Sequence, residues 1–193
     1  MRPAAPVLWA AVAALGLLSR ACDSPAHATP RESDRVLLAR ICVSEAGWEC
    51  WETGDGLAIY EVLSTGARRS GLSFRHYARS YASRATGARP TSNARLAWVA
   101  GLGEAGERPS AWPRDLSWAH YRPQWLDVLE HAEEVLSLDG ARARDWSPCA
   151  SSVHDWGGRM DEARAVRLGL IPVRCGPTRN AFYARPSLAR GTP

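Results

Sequence analysis

The segment from Ser33 to Cys50 constrains the fold of this chain more than any other. Ser33 is a residue type that caps helices, and the apolar residues after it recur at helical spacing as far as Ala46. Gly47 follows and predicts the end of the helix. The sequence around that end reads RICVSEAGWEC, with one cysteine on each side of the glycine. A bridge between these cysteines requires the chain to double back directly after Gly47.

A carboxylate, Glu45, falls in the last turn of the predicted helix. Burial beside Cys42, Val43 and Trp48 would disfavour its charged form, and the partial negative charge of a helix C-terminus acts in the same direction. A carboxylic acid that stays protonated near neutral pH is what a glycosidase needs to protonate a leaving oxygen. The alternative is a helix-end residue without chemistry, paired with Arg40 or with a backbone donor.

The same three residues, Glu-Ala-Gly, recur at Glu104 in different surroundings. Gly103, Arg108 and Pro109 give this second copy the composition of a loop. The sequence therefore predicts a solvated, ordinary carboxylate at Glu104. We expect chemistry at Glu45 and none at Glu104.

The N-terminus predicts export. A short basic start is followed by an apolar run from Ala4 to Leu18 and then by small residues, which is the layout of a secretory signal over residues 1–28. Two outcomes are open: cleavage before Cys22 with a lipid on its thiol, or ordinary cleavage after Ala28. Residues 29–193 then form a single domain, secreted or periplasmic, and anchored to a membrane only if Cys22 is acylated.

Export changes what the other cysteines predict. Cys42, Cys50, Cys149 and Cys175 are an even set in an oxidising compartment, which predicts two disulfides. We prefer Cys42 with Cys50 and Cys149 with Cys175, because each pairing closes a local loop. A zinc site lacks a Cys-x-x-Cys pair, and a catalytic thiol at Cys149 near His154 would tend to oxidise, so we predict no metal and no cofactor.

Periodicity predicts a mainly α (α+β) chain. Further helices are expected over Asp55 to Ser64, over the segment SFRHYARSYAS, from Thr91 or Ser92 onward, and from Pro123 to a stop at Asp139-Gly140. After Gly140 the chain is rich in Gly, Pro and aromatic residues, with one short helical segment, MDEARAVRLGL. The prediction is a helical domain with a loop-rich C-terminal segment.

Charge excludes one class of partner and favours another. The net charge of +4 comes from Arg alone, because the chain contains no Lys. These Arg residues are interleaved with Asp and Glu instead of forming one basic stretch, which argues against nucleic-acid binding. A mildly basic surface suits a partner with acidic groups, such as a bacterial envelope polymer. We expect the protein to act as a monomer.

The block LARICVSEAGWECWETGDGLAIYEVL resembles the opening of the SleB-like cell wall hydrolases, within the lysozyme and lytic transglycosylase group. Those families have a Leu-Ala-Arg helix, a Glu-Ala pair and a second helix that begins at a Gly. HDWGGRMD and CGPTRNAFYARP are similar to the segments with which relatives close the sugar groove. The family typically has Arg-Gly-Glu after Glu-Ala, whereas Gly47 follows at once here.

This resemblance implies a lysozyme-like domain that binds peptidoglycan strands and cleaves the β-1,4 bond after N-acetylmuramic acid. Glu45 takes the position of the catalytic glutamate and protonates the glycosidic oxygen. Water or the sugar's own 6-hydroxyl then captures the cation-like centre. The candidates for a second carboxylate are Glu52, Asp155 and Asp161; we prefer Asp155, whose alternative role is that of a turn residue.

The aromatic and polar residues of the later segments fit a glycan groove. We predict Trp48 and Trp156 as stacking platforms for sugars, Asn180 as an amide for acetamido groups, and Tyr183 as a phenol that orients Glu45 or the substrate. His154 is predicted to be structural or to bind substrate. Trp98 and Trp125 are expected in the core, whereas exposure is expected for the tryptophans near loops and helix ends: Trp48, Trp51, Trp112, Trp118, Trp146 and Trp156.

Two other classes of function fit the same residues. One is a catalytically inactive relative that binds peptidoglycan in the same groove. The other is a disulfide-bonded envelope protein that binds a protein partner through a flat aromatic patch. Geometry separates them, because catalysis requires Glu45 in a groove with room for a sugar oxygen.

Overall fold

A computed structural model describes residues 33–138, 145–151, 153–157 and 162–186. The predicted signal over 1–28, the candidate lipidation site Cys22, the carboxylate Asp161 and the predicted helix stop at Asp139-Gly140 lie outside these ranges. Within them, no helix is long and apolar enough to cross a bilayer.

Helix α1, Asp34–Ala46, is the centre of the fold. The Ser33 hydroxyl accepts a hydrogen bond from the Val36 backbone N–H at 3.3 Å, so the predicted cap is confirmed. The helix is buried on nearly all sides because α2, α3, α4 and α5 pack around it. It ends at Gly47, as the sequence predicts.

Five further helices are described, and several of them differ from the prediction at their ends. Helix α2 continues to Ser70 instead of ending at Ser64, and α4 begins at Ala94, where the Asn93 side chain caps it. The helix around Phe74 ends at Tyr81, within its predicted segment. The bounds are α2 Asp55–Ser70, α3 Phe74–Tyr81, α4 Ala94–Val99, α5 Trp118–Ser137 and α6 Glu162–Arg167.

The predicted start of the long helix α5 is wrong. The helix begins at Trp118, so Pro123 lies inside it instead of in its first turn. Tertiary contacts explain the earlier start, because the Trp118 indole donates to the Gly106 carbonyl at 3.1 Å and its ring meets Trp112 edge-on. These contacts hold a turn that Pro123, which lacks an N–H, weakens.

The C-terminal segment contains a small antiparallel sheet that was not predicted from the sequence. Its strands are β1 Asp155–Gly157, β2 Ile171–Val173 and β3 Ala181–Ala184, in the order β1-β3-β2. Strand β3 is central, with Tyr183 facing Asp155 on one side and Pro172 on the other. Strand β1 packs on α2, which joins the sheet to the helical part.

Both predicted disulfides are confirmed. Cys42 is bonded to Cys50 and Cys149 to Cys175. The first bridge links the last turns of α1 to the reversed chain after Gly47. The second closes the loop that precedes β1 onto the segment after β2. Two bridges are consistent with an extracytoplasmic location.

Candidate active site

Glu45 is exposed, and the prediction that it is buried is wrong. Helix α1 buries Cys42, Val43 and Ala46, which leaves positions 44 and 45 on the outward side of its last turn. The apolar neighbours of Glu45 in sequence are therefore on the other side of the helix.

An open cleft of 590 Å³ lies against Glu45. The opposite wall is the chain from Tyr81 at the end of α3 to Pro90, and Leu96 of α4 completes it. Arg84 and Arg89 bring positive charge to this wall. The cleft therefore offers one carboxylate, two guanidinium groups and room for a sugar-sized group.

The wall opposite Glu45 is tied to the core through Arg40. This side chain is only 6% exposed. Its Nε donates to the Leu102 carbonyl at 2.7 Å and its Nη1 to the Thr86 carbonyl at 3.4 Å. The Thr86 hydroxyl in turn donates to the Ala82 carbonyl at 3.0 Å. Arg40 of α1 thus anchors the loop that faces Glu45 of the same helix.

Three remote side chains bind the backbone carbonyls at the end of α1. Arg95 donates to Val43 O at 2.8 Å, and Arg179 donates to Ala46 O at 3.0 Å. The Asn180 amide contacts Glu45 O at 3.4 Å. The Val43 carbonyl also accepts the Gly47 backbone N–H at 3.1 Å. Carbonyls in the last turn of a helix lack further helical donors, and positive charge at a helix C-terminus is stabilising. The backbone that carries Glu45 is therefore fixed from outside the helix.

Gly47 makes the turn after Glu45. Its φ is +85°, a conformation that L side chains rarely adopt. A Cβ at this position would also meet Arg179 Nη1 at 3.3 Å. Arg179 forms an ion pair with Glu49 in the same turn. The turn, the Cys42–Cys50 bridge and Arg179 together determine where α1 ends.

Asp55 connects this helix end to the C-terminal segment. The residue is fully buried at the start of α2. One carboxylate oxygen accepts from the Arg179 N–H at 2.8 Å and the Thr53 hydroxyl at 2.7 Å. The other accepts from the Asn180 N–H at 3.0 Å and the Asn180 amide at 2.9 Å. The amide nitrogen predicted to bind acetamido groups is thus engaged within the protein.

Asp155 is connected to the cleft by Tyr81, which lines the cleft and bonds to Asp155. Asp155 Oδ1 accepts hydrogen bonds from the Tyr81 hydroxyl and, at 2.9 Å, from the Trp156 N–H. Tyr81 is 38% exposed, but partial burial of its phenol, and next the bond to Asp155, raise its pKa above the ordinary value. Tyr81 is therefore a neutral phenol on the cleft wall. The alternative role of Asp155 as a turn residue is wrong, because it begins β1.

The predicted tryptophan platforms are less accessible than expected. Trp156 is 9% exposed, and its ring packs on Tyr81 with centroids 4.7 Å apart. Trp48 is half-buried and packs between Trp98 at 5.8 Å and Tyr121 at 5.6 Å. Neither lines the cleft beside Glu45. Sugar stacking by the two residues stays a prediction, but the predicted exposure of Trp156 is wrong.

The other tryptophans divide between core and surface. Trp125 is fully buried, as predicted, and Trp98 packs against the core. Trp112 is only 4% exposed, contrary to the prediction, because it packs edge-on against both Trp98 and Trp118. Trp146 is exposed as predicted, at 63%. The high tryptophan content therefore reflects core packing more than a sugar groove.

His154 and Tyr183 lie in the sheet region. His154 is half-buried, and its Nδ1 accepts from the Arg185 N–H at 3.4 Å. Burial, and next the charges of Arg69 and Arg185, lower the pKa of His154, which favours a neutral imidazole. Tyr183 is 3% exposed, packs with the apolar residues under α6, and does not line the cleft.

Glu104 differs from a free solvated carboxylate. It is exposed, as predicted, but forms an ion pair with Arg35 at 3.2 Å. A hydrogen bond from Ser33, and next the charge of Arg35, lower the pKa of Glu104. The second Glu-Ala-Gly thus ties its loop to the start of α1, at the opposite end of the helix from Glu45.

Sequence reasoning missed the parts of the site that are brought together from distant segments. Tyr81 reads as one aromatic residue of a helix stripe, and Asp55 as an ordinary first-turn acid. Arg179 lies beside Asn180, in a segment already singled out. The signal for Asp55 was its position after Gly54 at a helix start, where a carboxylate has backbone N–H groups within reach. No sequence signal joins Tyr81 to Asp155.

Comparisons of the chain with protein-family models, with curated proteins and with solved structures find no match.

Proposed function

We propose that this chain is an exported, lysozyme-like glycosidase that cleaves the glycan strands of peptidoglycan, with Glu45 as the general acid. The observation that carries the proposal is the placement of Glu45. It is a carboxylate on the last turn of a buried helix, beside an open cleft of 590 Å³. Remote side chains fix the backbone at this point, which is the rigidity that an acid catalyst requires.

The proposed reaction begins with proton transfer from Glu45. Glu45 donates its proton to the glycosidic oxygen, and the bond from that oxygen to C1 of N-acetylmuramic acid breaks. The 6-hydroxyl of the same sugar, or a water molecule, then attacks C1 and returns a proton to Glu45. Because Glu45 is exposed in the free protein, the bound strand itself must exclude water from the carboxylate.

The state of Asp155 supports the route through the 6-hydroxyl. Its Oδ1 already accepts hydrogen bonds from Tyr81 and from the Trp156 backbone. A carboxylate engaged in this way is better suited to orienting the Tyr81 phenol than to attacking a sugar. The intramolecular route can use one carboxylate for both proton steps, so we favour a lytic transglycosylase over a hydrolase.

A second function, an inactive peptidoglycan-binding module, is favoured by one specific observation. Glu45 is exposed, so the protein does not supply the burial that would keep a carboxylic acid protonated. In this alternative the cleft holds the strand and Glu45 accepts hydrogen bonds from sugar hydroxyls. The flat aromatic patch expected of a protein-binding envelope protein has less support, because most of the tryptophans are packed together.

Purified sacculi provide the test. Wild-type protein should release muropeptides with anhydro ends, detected by mass spectrometry, whereas reducing ends would indicate capture by water. Glu45→Gln should lower the release by about 10²- to 10⁴-fold, the usual contribution of a general acid. Glu104→Gln is the matched control, because it alters the other Glu-Ala-Gly, and it should retain the wild-type rate.

The outcomes separate the candidates. Equal release by wild type and Glu45→Gln contradicts the assignment of Glu45. No release by either protein, combined with sedimentation of both with sacculi, supports the inactive module. Circular dichroism of each variant excludes unfolding as the cause.

A further inference from the structure

A second groove, of 430 Å³, lies along α3 and the loop that follows it. Its ionisable side chains are all of the basic type: Arg75, His76 and Arg79 come from α3, and Arg89 comes from the loop. No acidic residue is among the residues that line it, and the hydroxyls of Ser80 and Ser83 are also present. The groove therefore has the composition of a site for an anionic group.

This basic groove is continuous with the cleft beside Glu45. Ser83 and Arg89 line both. A ligand that occupies the cleft can therefore extend along the loop into the basic groove without leaving the protein surface. Whatever binds in the groove is most simply part of the same molecule that binds beside Glu45.

One guanidinium of the basic groove and the backbone of its loop are held in place. Arg75 Nε donates to Asp34 Oδ1 at 2.9 Å, which ties the guanidinium to the start of α1. The Arg89 backbone N–H donates to the Ser83 carbonyl at 2.9 Å and closes the loop on itself. The Arg75 guanidinium, which is already positioned, loses less side-chain entropy when it binds a carboxylate.

We propose that the basic groove binds the carboxylates of the stem peptides attached to the glycan strand; this rests on the function proposed above. In peptidoglycan, N-acetylmuramic acid carries a peptide with free carboxylates, so negative charge lies beside each scissile bond. Arg binds carboxylates through paired N–H donors. A phosphodiester polymer is also anionic, but a stem peptide is covalently attached to the sugar that Glu45 would act on, which the continuity of the two grooves favours.

The test measures binding in a Glu45→Gln background, so that cleavage does not interfere. Glycan strands that retain their stem peptides are compared with strands from which an amidase has removed them, by isothermal titration. We expect the strands with peptides to bind about tenfold more tightly, the ratio that corresponds to one charge-assisted contact. Arg75→Gln with Arg79→Gln should abolish this preference.

Two further variants control for charge and for folding. Arg108→Gln with Arg114→Gln removes the same net charge from exposed loop positions outside the groove, and it should keep the preference. Arg79→Gln alone leaves the Arg75–Asp34 pair intact and should weaken the preference part of the way. A preference that survives in the groove double variant overturns the proposal, as does equal binding of the two kinds of strand.

The result is distinguishable from failure of the proposed function. If wild-type protein releases no muropeptides while the preference for peptide-bearing strands persists and depends on the groove, glycosidase activity is contradicted and the basic groove is supported. A poly(glycerol phosphate) competitor tests the other anion. If it displaces peptide-bearing strands and itself binds the groove more tightly than they do, stem peptides are not the ligand.

Discussion

The two Glu-Ala-Gly segments of this protein have the same sequence and very different surroundings. Both end in a glycine with positive φ, +85° at Gly47 and +67° at Gly106. The positive φ that favours glycine is therefore shared. Around Glu45 the carboxylate lies beside an open cleft, whereas Glu104 is paired with Arg35.

The difference lies in what holds each segment. At the first copy, side chains from remote segments bind the helix carbonyls, a disulfide closes the turn, and the carboxylate is left at the surface of the cleft. At the second copy, the Gly106 carbonyl accepts from Trp118 and Arg122 of α5, and the carboxylate itself forms the structural contact. The first copy is thus held through its backbone carbonyls, and the second through its glycine carbonyl and its carboxylate.

Asp55→Ala should have the largest effect on stability and should break the arrangement on the Glu45 side. It removes a fully buried carboxylate and leaves the partly buried backbone N–H groups of Arg179 and Asn180 without this acceptor. We expect a loss of about 3 kcal/mol in the free energy of unfolding, since an orphaned buried charge partner or donor set is costly. Urea unfolding followed by circular dichroism measures it.

Asp55→Asn is the control for this prediction. It preserves the shape and part of the acceptor capacity, so the loss should be smaller than in Asp55→Ala. If both variants unfold at the wild-type urea concentration, the network around Asp55 does not hold the helix end.

Removing the first disulfide should have the next largest effect. Cys42→Ala with Cys50→Ala should lower the free energy of unfolding by about 2–3 kcal/mol, from the loop-closure entropy of a short loop. The turn after Gly47 should loosen, so muropeptide release should fall more than the folded fraction does. Thermal unfolding and the sacculus assay at a temperature where the variant is folded give the two quantities.

Cys149→Ala with Cys175→Ala is the counterpart for this prediction. This bridge contains no residue of α1, so release per folded molecule should fall less than it does in the first pair. A fall as large as that of the first pair would mean that the Cys42–Cys50 bridge has no special role at Glu45.

Glu104→Gln should have the smallest effect. The Arg35 pair is exposed and screened by solvent, so we expect a loss of about 0.5 kcal/mol at neutral pH. The pKa of Glu104 is lowered in the folded protein from its usual value of 4.5. The stability it contributes is therefore present above pH 4.5 and is lost as the pH falls through the lower, folded-state pKa.

The pH dependence of unfolding checks this sign. At neutral pH the wild-type protein should have a slightly larger free energy of unfolding than Glu104→Gln. This difference should disappear as the pH falls below 4.5 and through the folded-state pKa of Glu104. An advantage that grows as the pH falls would contradict the assigned direction of the shift.

Much of the α1 region could be predicted from local sequence. The Ser33 cap, the apolar run, the stop at Gly47 and the bridge to Cys50 all depend on residues close together in the chain. Short-range propensities and a short loop closure are strong when they agree with each other. The pairing of Cys149 with Cys175 was also predicted, because it too closes the nearer of the available loops.

The candidate site could be predicted only in part. The sequence singled out Glu45, Asp155 and Asn180, and the structure brings all three to the cleft or to the network behind it. It missed Tyr81, which links Asp155 to the cleft. Contacts between residues 74 positions apart have no local signature, because packing and not periodicity creates them.

Most of the helices around α1, both disulfides and the position of Glu45 at a helix end could be predicted from local sequence. The burial of that carboxylate, the partners of Asp55 and Asp155, and the cleft beside the first Glu-Ala-Gly depend on packing. These two groups of features differ in the range of the interactions that set them. Caps, glycine turns and short bridges act over a few residues, whereas burial and hydrogen-bond partners depend on which distant segments pack against one another.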